Sequence, residues 1–151
     1  MNDSITKNPD AAICIERTLS AGPREIFAAF EDPERLARWW GPAGFTNTFE
    51  RCEFEPGGHW VYVMHGPDGR DYPNECVFRE IEPETRIVIE HVVLPLYTLT
   101  ITLENRGDKT HLTWRQEFEN DVFATKMHDF LTTANNENLD RLEAVLAETV
   151  A

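Results

Sequence analysis

The chain is poor in basic residues and in long apolar runs, and each deficit excludes a class of partner. Only 14 Lys and Arg residues stand against 27 Asp and Glu residues, which gives a formal net charge of −13. Nucleic acids and anionic membranes bind proteins through basic surfaces, so we expect neither as a partner. No apolar run approaches the roughly 20 residues that cross a bilayer, and the first ten residues do not resemble a signal peptide. We therefore expect a cytoplasmic protein.

Cysteine and serine are also scarce. Cys14, Cys52 and Cys76 are widely spaced and form no C-x-x-C pair, which excludes zinc knuckles and thioredoxin-type motifs. We expect three buried free thiols in a reducing compartment. Neither of the two serines, Ser4 and Ser20, lies in a Gly-x-Ser-x-Gly elbow, and the five histidines lack metal-ligand spacing. The sequence predicts no catalytic residue, no bound metal and no cofactor.

Apolar and aromatic side chains are abundant, and they indicate a folded domain with a wide sheet or a lined cavity. Hydrophobic residues make up 41% of the chain and include four Trp and nine Phe, unlike the composition of a disordered acidic chain. With 151 residues the chain has room for one good core. We expect residues 1–10 to form a flexible tail and residues 11–151 to form a single domain.

Periodicity predicts one strand, two short helices, six more strands and a long helix. Alternation over Ala12–Leu19 predicts the first strand, and Pro23 and Asp32-Pro33 are typical of helix starts. Alternating runs joined by turns predict strands at 46–54, 59–65, 74–81, 86–92, 97–104 and 110–118. After Asn120 the period changes to 3.6, which predicts one helix from about Asp121 to Ala147. This order is typical of an α+β domain whose curved antiparallel sheet wraps around its last helix.

Five motifs in this order resemble a known family. They are PREIF (23–27), DPERLARWWGP (32–42), PGGHW (56–60), MHGPDG (64–69) and LDRLE (139–143). They are similar to bacterial relatives of the C-terminal domain of the heat-shock-protein-ninety ATPase activator, within the START/birch-pollen-allergen/polyketide-cyclase (SRPBCC) superfamily. The resemblance covers roughly residues 12–148. It implies a START-like helix-grip fold, in which the sheet and the C-terminal helix enclose a cavity.

The resemblance leaves three classes of function open, because one fold hosts many activities. We expect a binding protein whose cavity takes a small hydrophobic or amphipathic ligand, since aromatic walls with few polar groups suit such a pocket. The alternatives are a cyclase or hydrolase-type enzyme acting in the same cavity and a chaperone-interacting domain. A homodimer also stays open.

The predicted ligand-binding residues combine aromatic positions on inward strand faces with a few polar ones. They are Trp39, Trp40, Trp60, Tyr62, Met64, His91, Trp114, Gln116, Phe130, Asn135 and Asn138. Of the two adjacent tryptophans, one is expected in the core and the other at the mouth of the pocket. His91 follows two inward-facing isoleucines, which fits either a cavity-lining imidazole or a buried structural one.

Asn138 stands out because it falls in the centre of the apolar face of the last predicted helix, with Asn135 on its flank. A buried amide without a partner costs about 1–3 kcal/mol. Asn138 should therefore bond to a sheet side chain such as Gln116 or His91, or face a polar cavity. In the cavity case the replacement Asn138→Leu leaves the melting temperature unchanged or higher; a structural hydrogen bond predicts a drop.

Overall fold

Seven strands and four helices make up residues 11–148, the part of the chain that the computed structural model describes. The strands are β1 (Ala12–Leu19), β2 (Thr46–Cys52), β3 (His59–His65), β4 (Asp71–Glu82), β5 (Arg86–His91), β6 (Tyr97–Arg106) and β7 (Lys109–Phe118). The helices are α1 (Pro23–Glu31), α2 (Pro33–Trp39), α3 (Asp121–Lys126) and α4 (His128–Glu148). The tail predicted at residues 1–10 lies outside the described residues.

The strands form one open antiparallel sheet in the order β1-β7-β6-β5-β4-β3-β2. Each strand after β2 pairs with the strand that precedes it in the chain. β1 pairs with β7, so β1 and β2 are the two edge strands. Register shifts interrupt the ladder between Phe49 and Arg51 and between Phe78 and Glu80, and such bulges bend a strand. The curved sheet and the long C-terminal helix confirm the predicted α+β helix-grip fold.

Two short helices follow the first strand, as predicted, because each has its own start signal. Pro23 and Pro33 occupy the first turns of α1 and α2, where the missing N–H group costs nothing. The Asp32 side chain accepts a hydrogen bond from the Glu34 backbone at 3.0 Å and so caps α2. Within residues 11–148, no helix is both long and apolar enough to cross a bilayer.

The predicted single C-terminal helix is wrong in one respect, because it is divided at Met127. That residue leaves helical geometry, with φ −97° and ψ 10°, and separates α3 from α4. No proline or glycine marks the break, so the 3.6-residue period runs across it unchanged in the sequence. Phe123 in α3 packs on Phe118 at the end of β7, with ring centroids 5.6 Å apart.

The C-terminal end of α2 is held by side chains from both the sheet and α4. Asn47 donates to the carbonyls of residues 37 and 40 at 3.0 and 2.9 Å, and Asn138 donates to the carbonyl of residue 39 at 2.8 Å. Arg141 donates to the carbonyls of residues 38, 40, 41 and 42 at 2.7–3.0 Å. These bonds satisfy the carbonyls that a helix end leaves unpaired.

The expectation of three buried thiols is wrong for Cys14, which is exposed. β1 is an edge strand, and Cys14 lies on the face opposite Ile13 and Ile15, where nothing covers it. Cys52 is half-buried and Cys76 is fully buried. Burial raises the pKa of Cys52 to about 11 and that of Cys76 to about 12, since the charged thiolate is disfavoured in an apolar setting.

Replacing Arg141 by Met should lower the free energy of unfolding by about 1–3 kcal/mol, because several partly buried carbonyls lose their only charged donor. Urea denaturation measures the change. The matched control is Arg38→Met, which removes only the exposed ion pair with Glu148 and should alter stability little. Equal effects of the two replacements would contradict the role given to Arg141.

At pH 8 the three thiols should react with a disulfide reagent in the order Cys14, Cys52, Cys76. The thiolate is the reactive form, and the raised pKa values leave Cys52 and Cys76 almost entirely protonated. Single-cysteine variants followed by absorbance give the three rates, and the urea-unfolded chains should react alike. Fast labelling of Cys76 in the folded protein would contradict its burial.

Candidate functional site

A small cavity of about 200 Å³ lies between α4, the α2–β2 loop (residues 40–45) and the inward face of strands β3, β6 and β7. We call it the inner cavity. Its lining residues are Trp40, Gly41, Pro42, Tyr62, Met64, Tyr97, Leu99, Trp114, Gln116, Leu131, Ala134, Asn135 and Asn138. None of these is charged.

One side of the inner cavity is an aromatic wall built around Trp40. The Trp40 indole packs 5.8 Å from Trp114 and 4.9 Å from Trp60, measured between ring centroids. Its Nε1 donates to the Tyr62 hydroxyl at 3.1 Å, which fixes both rings. The wall is preformed because every ring in it is buried among others.

Three amides from β7 and α4 also line the inner cavity. Asn135 Nδ2 donates to Gln116 Oε1 at 2.8 Å, and Asn138 Nδ2 donates to the Trp39 carbonyl at 2.8 Å. Within the described residues, Gln116 Nε2 and the Oδ1 atoms of Asn135 and Asn138 make no hydrogen bond. An amide can make more bonds than these, so these side chains offer both a donor and acceptors to a ligand.

Two tyrosines line the inner cavity, and both remain protonated at neutral pH. Burial, with a smaller contribution from Cys76, raises the pKa of Tyr62 and of Tyr97 well above the ordinary value. The Tyr62 hydroxyl also lies 3.9 Å from Cys76 Sγ. These phenols can donate hydrogen bonds but cannot serve as bases.

His91 lies behind the inner cavity instead of lining it. Its Nδ1 is 2.7 Å from the Pro95 carbonyl and its Nε2 is 2.7 Å from Asn74 Oδ1. The ring stacks on Tyr97 with centroids 4.6 Å apart, and burial lowers its pKa. Each ring nitrogen lies within hydrogen-bond distance of a carbonyl oxygen, and these contacts fit the structural alternative for His91.

Seven of the eleven predicted ligand-binding residues line the inner cavity: Trp40, Tyr62, Met64, Trp114, Gln116, Asn135 and Asn138. Besides His91, three do not. Trp39 is fully buried and donates from Nε1 to the Ala29 carbonyl at 3.0 Å, so it is the core member of the tryptophan pair. Trp60 is buried behind the wall, stacked on Phe78.

Phe130 does not line the inner cavity, and 65% of its side chain is exposed. Its neighbour Leu131, which the helical spacing placed on the same face, does line the cavity. Phe130 instead lines a separate surface depression of about 200 Å³, which we call the outer groove. Its lining residues are Pro42, Ala43, Phe45, Phe130, Thr133, Ala134 and Glu137.

Several residues that line the inner cavity were missed in the sequence. Tyr97 and Leu99 lie at alternate positions at the start of β6 and both face the cavity. The alternation is visible in the sequence, but it does not distinguish a cavity-lining position from an ordinary core position. Gly41 and Pro42 belong to a loop, where no periodicity indicates which side faces inward. The small side chain of Ala134 gives no signal of its own.

One further cluster brings together a hydroxyl, an imidazole and a carboxylate. Thr48 Oγ1 lies 2.7 Å from His65 Nε2, and His65 Nδ1 lies 2.8 Å from Asp71 Oδ1. The order matches that of a hydrolase triad. By strand alternation, however, the cluster lies on the opposite sheet face from Tyr62 and Met64, and all three bonded groups are exposed to water. We interpret it as a cross-strand contact.

Comparison with known structures reveals the same fold in bacterial proteins. A solution structure from Arthrobacter aurescens is 29% identical over 92% of this chain and 87% of its own, with a TM-score of 0.84. A crystal structure from Nitrosomonas europaea is 22% identical over 94% and 97%, with a TM-score of 0.84. The AHSA1 protein from Silicibacter pomeroyi is 20% identical over 91% and 99%, with a TM-score of 0.75.

No curated protein matches the chain. The sequence profile of the family described as Activator of Hsp90 ATPase homolog 1-like protein matches residues 20–147. That match spans both short helices, strands β2 to β7 and nearly all of α4, and it includes every residue that lines the inner cavity. The chain therefore belongs to the Activator of Hsp90 ATPase homolog 1-like protein family.

Proposed function

We propose that the protein binds a small, uncharged, amphipathic molecule in the inner cavity. The observation that carries this proposal is a cavity lining that combines an aromatic wall with three amides. A ligand with one apolar ring and one polar group matches both features. The family's helix-grip fold is consistent with such a role.

The size of the inner cavity limits the part of the ligand that it holds to about one ring. Pockets for drug-sized molecules measure about 300–1,000 Å³, whereas an apolar cavity of about 150 Å³ admits benzene. At about 200 Å³ the inner cavity suits a ring with a short substituent.

The lining also favours a neutral ligand over a charged one. A buried ion needs a partner of opposite charge, and none of the described lining residues carries a charge. Gln116 Nε2 is a free donor for a ligand carbonyl or hydroxyl oxygen, while Asn135 Oδ1 and Asn138 Oδ1 can accept from a ligand O–H or N–H.

Binding has better support than catalysis in the same cavity. General acid–base catalysis needs a group whose pKa lies near the working pH. Burial raises the pKa of Tyr62 and of Tyr97 further from neutrality, and His91 does not line the cavity. Three further predictions do not depend on the cavity and stay predictions: contact with a chaperone, formation of a homodimer and a cytoplasmic location.

The protein should bind acetophenone about 2- to 12-fold more tightly than 2-phenylpropene. The two molecules have the same shape, but only the ketone can accept a hydrogen bond, which is worth about 0.5–1.5 kcal/mol. Quenching of tryptophan fluorescence measures both affinities, since Trp40 and Trp114 line the cavity. Mass spectrometry under native conditions provides an independent test by identifying molecules that the purified protein retains.

In the variant Gln116→Met the preference for acetophenone should fall, while the affinity for 2-phenylpropene should be retained or rise. Methionine has nearly the same length and removes the donor. Thr100→Ala is the matched control, because Thr100 lies on neighbouring β6 at a position that alternates away from Leu99. Failure of both probes to bind the wild-type protein would contradict the proposed function.

Asn138→Leu should lower the free energy of unfolding by about 1–3 kcal/mol, because the Trp39 carbonyl loses its donor at the end of α2. Asn135→Leu removes only a side-chain bond at the cavity surface and should cost less. Thermal and urea denaturation measure both. A melting temperature that is unchanged or higher in Asn138→Leu would instead favour the purely ligand-orienting role.

A further inference from the structure

We propose that the ligand is elongated and that its apolar tail leaves the inner cavity between Pro42 and Ala134 to lie in the outer groove. This inference rests on the proposed function and specifies the class of ligand. The head is a neutral ring with a polar group, and the tail is an aliphatic chain.

The two spaces are separated by a thin partition. Pro42 and Ala134 line both the inner cavity and the outer groove. Both side chains are small, since Pro42 has a compact ring and Ala134 has a single methyl group. Only a small displacement of these two residues is needed to connect the two spaces. Each space has about 200 Å³, and their union reaches the range of ordinary ligand pockets.

The outer groove has the chemistry of a tail-binding site. Phe45 and Phe130 supply its aromatic surface, and Thr133 and Glu137 stand at its polar side. Phe130 is a large apolar residue with 65% of its surface exposed to water. An aliphatic chain laid against Phe130 would remove that surface from water, which is favourable in proportion to the area covered.

The α2–β2 loop covers this partition, and Arg141 of α4 donates to the carbonyls of residues 41 and 42 in it. Gly41 and Gly44 flank Pro42 and Ala43, and both glycines have positive φ, of 97° and 87°, a region where glycine is unstrained. A Cβ at Gly41 would lie 2.6 Å from Met64 Cε, so the loop sits directly on a flexible side chain. Its contact with the groove side of α4 is the bond from the Ala43 amide to Glu137 Oε1, at 3.1 Å.

The larger groove near the β5–β6 connection is the competing path. It measures about 580 Å³, includes the 84%-exposed Leu94, and is lined by Leu94, Pro95, Leu96, Glu119, Asn120 and Phe123. None of these described residues also lines the inner cavity. A tail would have to pass Tyr97, which is held by its stack on His91, so the thin partition at Pro42 favours the outer groove.

The test is a series of alkyl phenyl ketones from acetophenone to octanophenone, with affinities measured by tryptophan fluorescence. Once the chain reaches the outer groove, each added methylene should tighten binding by up to about fourfold. In Phe130→Ser the ratio of octanophenone affinity to acetophenone affinity should fall at least tenfold. In Leu94→Ser, the matched control at an exposed leucine of the competing groove, the ratio should match that of the wild type.

The outcomes separate the two proposals. Acetophenone binding with no gain along the series would overturn the tail site and leave the proposed function standing. A gain that Phe130→Ser does not reduce, or that Leu94→Ser reduces instead, would also overturn the tail site. Absence of binding by every ketone would overturn both. Circular dichroism of the variants checks that each is folded, which we expect because both replaced side chains are exposed.

Discussion

The hydrogen bonds that close the C-terminal end of α2 join three parts of the structure at one point. Asn47 from β2 and both Asn138 and Arg141 from α4 donate to carbonyls of residues 37–42. Carbonyls at a helix end need such partners when water is excluded. Since the donors come from an edge strand and from the C-terminal helix, the same bonds fix how far α4 stands from the sheet. That separation determines whether a cavity exists at all.

Most of the fold could be predicted because strand geometry leaves little freedom. Side chains alternate with period two, so placing Trp60 inward also placed Tyr62 and Met64 on the same face, and Trp114 likewise placed Gln116. Helix starts were equally readable, because Pro33 and its Asp32 cap carry their own local signal. Strand alternation and helix capping depend on residues close together in the sequence, and the tertiary contacts of this protein do not override them.

What could not be predicted depends on contacts between distant elements. The break at Met127 has no local signal, and Phe130 is exposed although its helical spacing predicted the inner face. The partner of Asn138 is a backbone carbonyl of another helix, which no side-chain pattern could identify. Cys14 is exposed because it lies on the sheet face opposite Ile13 and Ile15, and which face of the sheet the helices leave uncovered is a property of the tertiary structure.

Some residues at the C-terminal end of α2 both line the inner cavity and hold the fold together, which restricts how the ligand preference of such a fold can change. Trp40, Gly41 and Asn138 line the inner cavity and also take part in closing α2, so replacing them risks the fold itself. Gln116 and Leu99 line the same cavity from the sheet without that second task. Substitutions that change ligand specificity should therefore accumulate at the lining residues of the sheet. The lining residues of the loop and of α4 should change less, because their replacement would lower the stability of the fold.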